Sequence, residues 1–372
     1  MNGGPLDLLA HMGLLAVTPG MVFMWVVAGV LLYLAIAKQF EPLLLLPIGF
    51  GILVANLPLT GLMEPGEGLI WRFYHYGLQW EVIPPVIFLG LGALTDFGPM
   101  LARPSLIFLG AGAQVGVYVT FFVAWLLGMS LPEAATTGII GGADGPTTIY
   151  LATRLAPHML GSCAVAAYSY MALVPIIQPP VMKLLTTQAE RAMVMKKSRK
   201  VPKMERILFP IVATLVTVLV VPASAPLMVM FMLGNLFRES GVVERLAGAA
   251  QNELMNIVTI FLGLSVGATM NADTFLQPKV IFIFILGLVA FAVSTASGVL
   301  FAKFMNLFLK DKINPLIGAA GVSAVPMSAR VVHQMGSEAN KKNYLLMFAM
   351  GPNIAGVIGT ILAAGVFLSM LQ

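Results

Sequence analysis

Long apolar runs follow one another along the chain, separated by short polar or Gly/Pro-broken stretches. Five segments (21–37, 105–129, 207–222, 280–302 and 344–369) contain no charged residue. A helix of about 20 apolar residues spans the roughly 30 Å hydrocarbon core of a bilayer. The pattern therefore predicts an all-α polytopic membrane protein.

The pattern also repeats. Pro47-Ile-Gly-Phe-Gly-Ile-Leu-Val-Ala-Asn56 has a counterpart in Pro226-Leu-Met-Val-Met-Phe-Met-Leu-Gly-Asn235, and Ile87-Phe-Leu-Gly-Leu-Gly-Ala-Leu-Thr-Asp96 is echoed from Ile260 onward. Each half then has a long apolar helix, a broken segment and a closing helix with an internal proline. Counterparts stand 173–180 residues apart. Interrupted segments at matching places in two halves point to a transporter-like fold of inverted repeats with broken, re-entrant helices and a site near the midplane. The expected division is an N-terminal segment with an extra helix (1–41), a first repeat (42–182), a basic linker (183–206) and a second repeat (207–372).

The two broken segments carry the candidate chemistry. Gly141-Gly-Ala-Asp144-Gly-Pro146-Thr-Thr148 places a carboxylate where Gly142 and Gly145 permit close backbone approach and Pro146 ends regular helix. Carboxylates at membrane depth are costly, and freed backbone groups survive there only where they line a site. Asp144 is thus a candidate cation or proton site, weighed against a helix cap facing water. Its counterpart, Asn314 to Arg330, offers Asn314, Gly318 and Ser323 around a second break. Arg330 suits bidentate capture of a carboxylate, or equally an interfacial anchor. Asn353 is an amide inside an apolar span, an ion ligand or an interhelical hydrogen bond. Tyr170 is a phenol within a span, suited to proton handling or to interfacial anchoring. Asp96 and Asp273 sit at span ends and read as caps.

Composition agrees: 59% of residues are hydrophobic and 10% charged, against roughly 25% charged in soluble domains. Eight Lys/Arg against two Glu fall between Lys183 and Arg206, which makes this linker cytoplasmic by the positive-inside rule rather than a nucleic-acid patch. With an odd number of crossings per half, the N-terminus falls inside, residues 38–42 outside and the C-terminus outside. The N-terminal stretch has no Lys or Arg before its first apolar run, unlike a cleaved secretory signal. The single Cys163 supplies no disulfide or metal framework.

At GGADGPTT (141–148), AYSYMALVPIIQPPVMK (167–183), GNLFRESGVVERL (234–246), NIVTIFLGLSVGA (256–268), NPLIGAAGVSAVPMSAR (314–330) and MGPNIAGVIG (350–359) the chain closely resembles the β subunit of the biotin-dependent, sodium-translocating decarboxylases. That family comprises the oxaloacetate, methylmalonyl-CoA, glutaconyl-CoA and malonate decarboxylase sodium pumps. The resemblance implies a subunit that decarboxylates carboxybiotin, consumes a proton and exports Na+ across the inner membrane. It implies a carboxyltransferase α subunit, a biotin carrier protein and a small γ/δ-type membrane subunit as partners, several copies of this chain within the complex, and biotin attached to the carrier rather than here. It implies Asp144, Asn314 and Asn353 as sodium ligands, with sodium the only metal. Tyr170, Ser323 and Arg330 are implied at the carboxybiotin reaction, with Gly142, Gly145 and Gly318 shaping the site. The chain is shorter than oxaloacetate-type subunits, which leans toward an acyl-CoA type. On this reading an elevator-like core bearing Asp144 and residues 314–330 slides against a scaffold that includes 21–37. The alternative is a sodium-coupled carrier of an organic anion without decarboxylase chemistry.

Overall fold

A computed structural model describes residues 12–196, 198–275 and 277–372. Residues 1–11, with the expected cytoplasmic N-terminus, lie outside the described residues, as do Lys197 and Leu276. Among the described residues every regular element is helical. In chain order the main helices are α1 (Pro19–Ala37), α2 (Pro42–Ala55), α3 (Leu69–Gln79), α4 (Ile83–Leu94) and α5 (Pro104–Leu126). Then come α6 (Leu131–Gly138), α7 (Gly145–Leu155) and α8 (Pro157–Leu185). The second half has α9 (Lys203–Val220), α10 (Ala225–Ser240), α11 (Met255–Ala268), α12 (Pro278–Met305), α13 (Met327–Ala339) and α14 (Leu346–Leu371).

Five of these (α1, α5, α8, α12 and α14) are long and apolar enough to cross a bilayer, and α3 with α4 makes a sixth candidate bent by 66°. The chain is a multi-pass membrane protein. The helices sort by depth in the bundle. Only 22% of the apolar window of α1 is buried, against 67% for α8 and 61% for α14. The sole buried residue of α9 is Pro210. Thus α1 and α9 are peripheral, while α8 and α14 are central.

Packing between the halves is reciprocal. Helix α2 lies against α11 and α4 against α10; likewise α8 lies against α12 and α14 against α5. Each close approach uses glycines. A Cβ on Gly267 would fall 2.2 Å from the Ile48 carbonyl oxygen, and one on Gly234 would fall 2.0 Å from that of Leu89. Small residues let apolar helices approach closely where no hydrophobic drive separates lipid from protein.

Contacts at the helix ends assign each turn to one end of the bundle. Lys303, in the last turn of α12, bonds the Leu185 carbonyl and pairs with Glu190, so the end of α12 lies at the linker. At the opposite end, Lys279 and His158 both reach Glu133. Met270 packs beside Gly161 there, the Asn56 amide donates to the Met270 carbonyl at 2.8 Å, and Gly20 abuts Ala272. Helix α1 therefore starts at the end remote from the linker, and residues 38–42 lie at the linker's end. This reverses the expected placement of 38–42 relative to the linker. The physical reason is that α1 belongs to the first half: it precedes α2 and packs on it as α9 precedes and packs on α10. Counting it with the first half changes the parity of the passes. The C-terminal Gln372 bonds Arg154, which also pairs with Glu81, at the end remote from the linker.

Candidate functional site

The two broken segments enter the bundle from opposite ends. The first descends as α6, started by a capping box in which Ser130 and Glu133 satisfy each other's backbone amides. A 3-10 turn, Ile139–Gly142, leads to Ala143 in the left-handed region (φ 54°), and the chain then returns as α7 to the start of α8. The second segment runs from Asn314 through a 3-10 turn, Pro315–Gly321, and returns as α13 to the linker. There Asn340 donates to the Ala192 carbonyl and Asn343 to that of Arg191.

The tips meet inside the protein. The Ser323 amide donates to the Gly142 carbonyl at 2.8 Å, and the Ser323 hydroxyl donates to Asp144 Oδ2 at 3.1 Å. Asp144 is the N-cap of α7 and accepts the Thr147 amide at Oδ1, 3.1 Å away. Its residue is 5% exposed, and no Arg, Lys or His pairs with it among the described residues. A buried carboxylate with two hydrogen bonds and no cationic partner is an incomplete site for a cation or a proton.

Carbonyls freed by the second break find specific partners, as burial requires. The Asn353 amide donates to the Ala320 carbonyl at 3.1 Å and to that of Val322 at 2.7 Å. Gln178 of α8 donates to the Ala319 carbonyl at 2.9 Å. Several buried oxygens around the junction have no partner among the described residues: Asn353 Oδ1, Thr147 Oγ1 and the Tyr168 hydroxyl. Oxygen-only donors suit hard cations. Among the described residues no three His, Cys, Asp or Glu side chains converge as for a transition metal.

The glycines at the site make room for neighbours. A Cβ on Gly142 would lie 2.6 Å from Thr360, one on Gly318 would lie 2.0 Å from the Gly298 carbonyl oxygen, and one on Gly145 would lie 2.1 Å from the ring of Tyr168.

Of the residues singled out in the sequence, Asp144, Ser323 and Asn353 converge on the junction. Asn314 does not join them through its contacts. Its oxygen accepts the Leu316 amide, and its NH2 group donates to the Arg191 and Met193 carbonyls, so it fastens the second break to the linker. Tyr170 points its hydroxyl at the Phe284 carbonyl of α12, and its ring covers Gly287. It is Tyr168, two residues earlier, that faces the Asp144 turn. Arg330 stands exposed on the first turns of α13 and forms no ion pair among the described residues. Asp96 accepts the Gly98 amide at 2.8 Å and pairs with Arg206; the N-cap of the short helix that starts at Gly98 is Phe97, so Asp96 precedes the cap.

Two further features escaped sequence reasoning. Gln178 sits in an apolar helix with three prolines and gives no signal of its partner. Glu133 collects Lys279 at 2.8 Å and His158 at 3.0 Å, joining the first broken segment to both long helices. Burial alone would push the Glu133 carboxyl up. Hydrogen bonds from Lys279, Ser130 and His158 outweigh it and hold it at about 2.

Comparison with known proteins gives the same picture across the chain. The family model of the Na+-transporting oxaloacetate decarboxylase beta subunit matches residues 20–371. The methylmalonyl-CoA decarboxylase subunit beta of Veillonella parvula is 58% identical over 97% of this chain and 95% of its own. The glutaconyl-CoA decarboxylase subunit beta of Acidaminococcus fermentans is 54% identical over 96% and 95%. The oxaloacetate decarboxylase beta chain of Haemophilus ducreyi is 50% identical over 98% of each. With two broken segments joined at a buried aspartate and a match spanning nearly its whole length, the chain belongs to the family of β subunits of sodium-transporting decarboxylases.

Proposed function

We propose that this subunit releases CO2 from carboxybiotin presented by a carrier protein, and that this step drives Na+ bound at Asp144 outward across the inner membrane. The observation that supports it most is the Asp144–Ser323 contact. It makes one buried, cationless carboxylate common to two segments that enter from opposite ends. The reaction converts an N-carboxylate and a proton into CO2 and the N–H of biotin. The N–C bond breaks, its electron pair stays on the ureido nitrogen, and the proton is consumed there. The unpaired Arg330 guanidinium, close in sequence to the second break, suits capture of that carboxylate. Moving the anion from water into the protein favours CO2 loss.

Coupling requires that Na+ bind with different affinity in the two orientations of the carrier. The reciprocal packing of the halves supports an inverted repeat, with the junction as the moving core and α1, α2 and α11 within the scaffold. The basic linker then marks the cytoplasmic side. The start of α1 and the C-terminus both face outward.

A carboxyltransferase, a biotin carrier and a small membrane subunit complete the complex on this reading. An acyl-CoA is the favoured substrate of that complex. Acyl-CoA relatives align over 360 to 390 residues, whereas the oxaloacetate relative of Haemophilus needs 426 aligned positions. No decarboxylase step is needed by an organic-anion carrier, and the relatives' names favour the decarboxylase. In the purified complex, Arg330→Ala is expected to lower kcat/KM for the carboxylated carrier by about 30–100-fold. Sodium-driven uptake of an organic anion without biotin would sink the proposal.

A further inference from the structure

Tyr168 is fully buried, and its hydroxyl has no hydrogen-bond partner among the described residues. Its ring lies in an apolar cluster with Leu45 and Ile48 of α2, Leu262 of α11, and Ile149 and Ala152 of α7. A phenylalanine would fill that space equally well, so packing does not account for the hydroxyl. Buried hydroxyls are destabilising without a partner, and an orphan in a packed region leaves an oxygen available to a partner that is not protein.

The hydroxyl's surroundings indicate what that partner is. A Cβ on Gly145 would lie 2.7 Å from the Tyr168 oxygen, so the absence of a side chain there brings the phenol against the first turn of α7, beside Asp144. Helix α7 directs its N-terminal partial positive charge at the same place. A cation held there by one carboxylate works against that field and needs further oxygens.

We propose that the Tyr168 hydroxyl is a further oxygen ligand of the monovalent cation at Asp144. The inference rests on the assignment of Asp144 as the sodium site. It separates the two tyrosines of the motif: Tyr170 is tied to the Phe284 carbonyl, whereas the Tyr168 oxygen lies against the first turn of α7.

The test is the thermal unfolding midpoint of the purified complex, titrated with NaCl at constant ionic strength using choline, because a ligand stabilises the state that binds it. In Tyr168→Phe the sodium-free midpoint should stay level or rise, since an orphan hydroxyl has been removed. The Na+ concentration giving half of the stabilisation should rise by about tenfold. A lower sodium-free midpoint would mean that the hydroxyl has a protein partner, and would overturn the proposal. An unchanged half-saturation would overturn it as well. Asp144→Asn, measured alongside, should lose the sodium response. If it responds like the unaltered protein, the sodium assignment of Asp144 fails, which is a different result from an unchanged Tyr168→Phe.

Discussion

At the scale of single residues, Asp144 has a structural duty and, on the proposed function, a chemical one. It caps α7 through the Thr147 amide, as its position before Gly-Pro-Thr-Thr suggests, yet its second oxygen is turned to Ser323 of the other half. The capping and ion-site readings of the sequence are therefore compatible. Motif chemistry made Asp144 and Ser323 legible, because a carboxylate and a hydroxyl at matching breaks stand out in an apolar chain. The sequence singled out Tyr170, a phenol within a span, and offered no signal for Tyr168. Both lie in one helix, and only the approach of Gly145 decides which phenol faces the site. That approach is itself testable. Gly145→Ala would put a methyl 2.1 Å from the Tyr168 ring, and overpacking of this kind destabilises by about 1–3 kcal/mol. The expected result is a lower unfolding midpoint together with weaker sodium dependence of CO2 release. An unchanged midpoint would show that the ring moves aside freely.

Among the helices and breaks, the sequence showed where chain direction changes but not what holds the broken pieces. Pro and Gly mark both breaks, but the partners of their freed carbonyls, Gln178 and Asn353, come from α8 and α14 and depend on tertiary packing. Glu133 illustrates the same limit. In the sequence it is a capping-box acid, and only the fold brings Lys279 to it from 146 residues away. With its carboxyl held at about 2, below its ordinary 4.5, Glu133 stabilises the native state fully above pH about 4.5. That contribution is lost as pH falls from there toward 2. The shift corresponds to about 3 kcal/mol, and water screening at the half-exposed Lys279 and His158 reduces this to roughly 1–2 kcal/mol. Glu133→Gln should lower the unfolding midpoint at pH 7 and flatten its fall between pH 4.5 and 3. A parallel acid profile for the two proteins would contradict that role.

For the whole molecule, hydropathy was enough to predict an all-α membrane bundle. It could not assign α1 to a half, because one peripheral apolar helix looks like any other, and parity depends on that assignment. Charge agrees with the structure's assignment, since Lys38 then shares the linker's end. Membrane-impermeant thiol labelling can decide the matter, because the native Cys163 is buried. Gln39→Cys should label from the same side as Lys200→Cys, and Thr60→Cys from the other. Labelling of Gln39→Cys together with Thr60→Cys would overturn the assigned course of α1. The central claim, however, is that Asp144 ties sodium movement to decarboxylation. It is tested most directly by measuring 22Na+ uptake and CO2 release together in proteoliposomes of the complete complex. In Asp144→Asn both should fall at least about 100-fold, the scale of losing a buried charge's partner; sodium uptake at the unaltered rate in that variant would contradict the account.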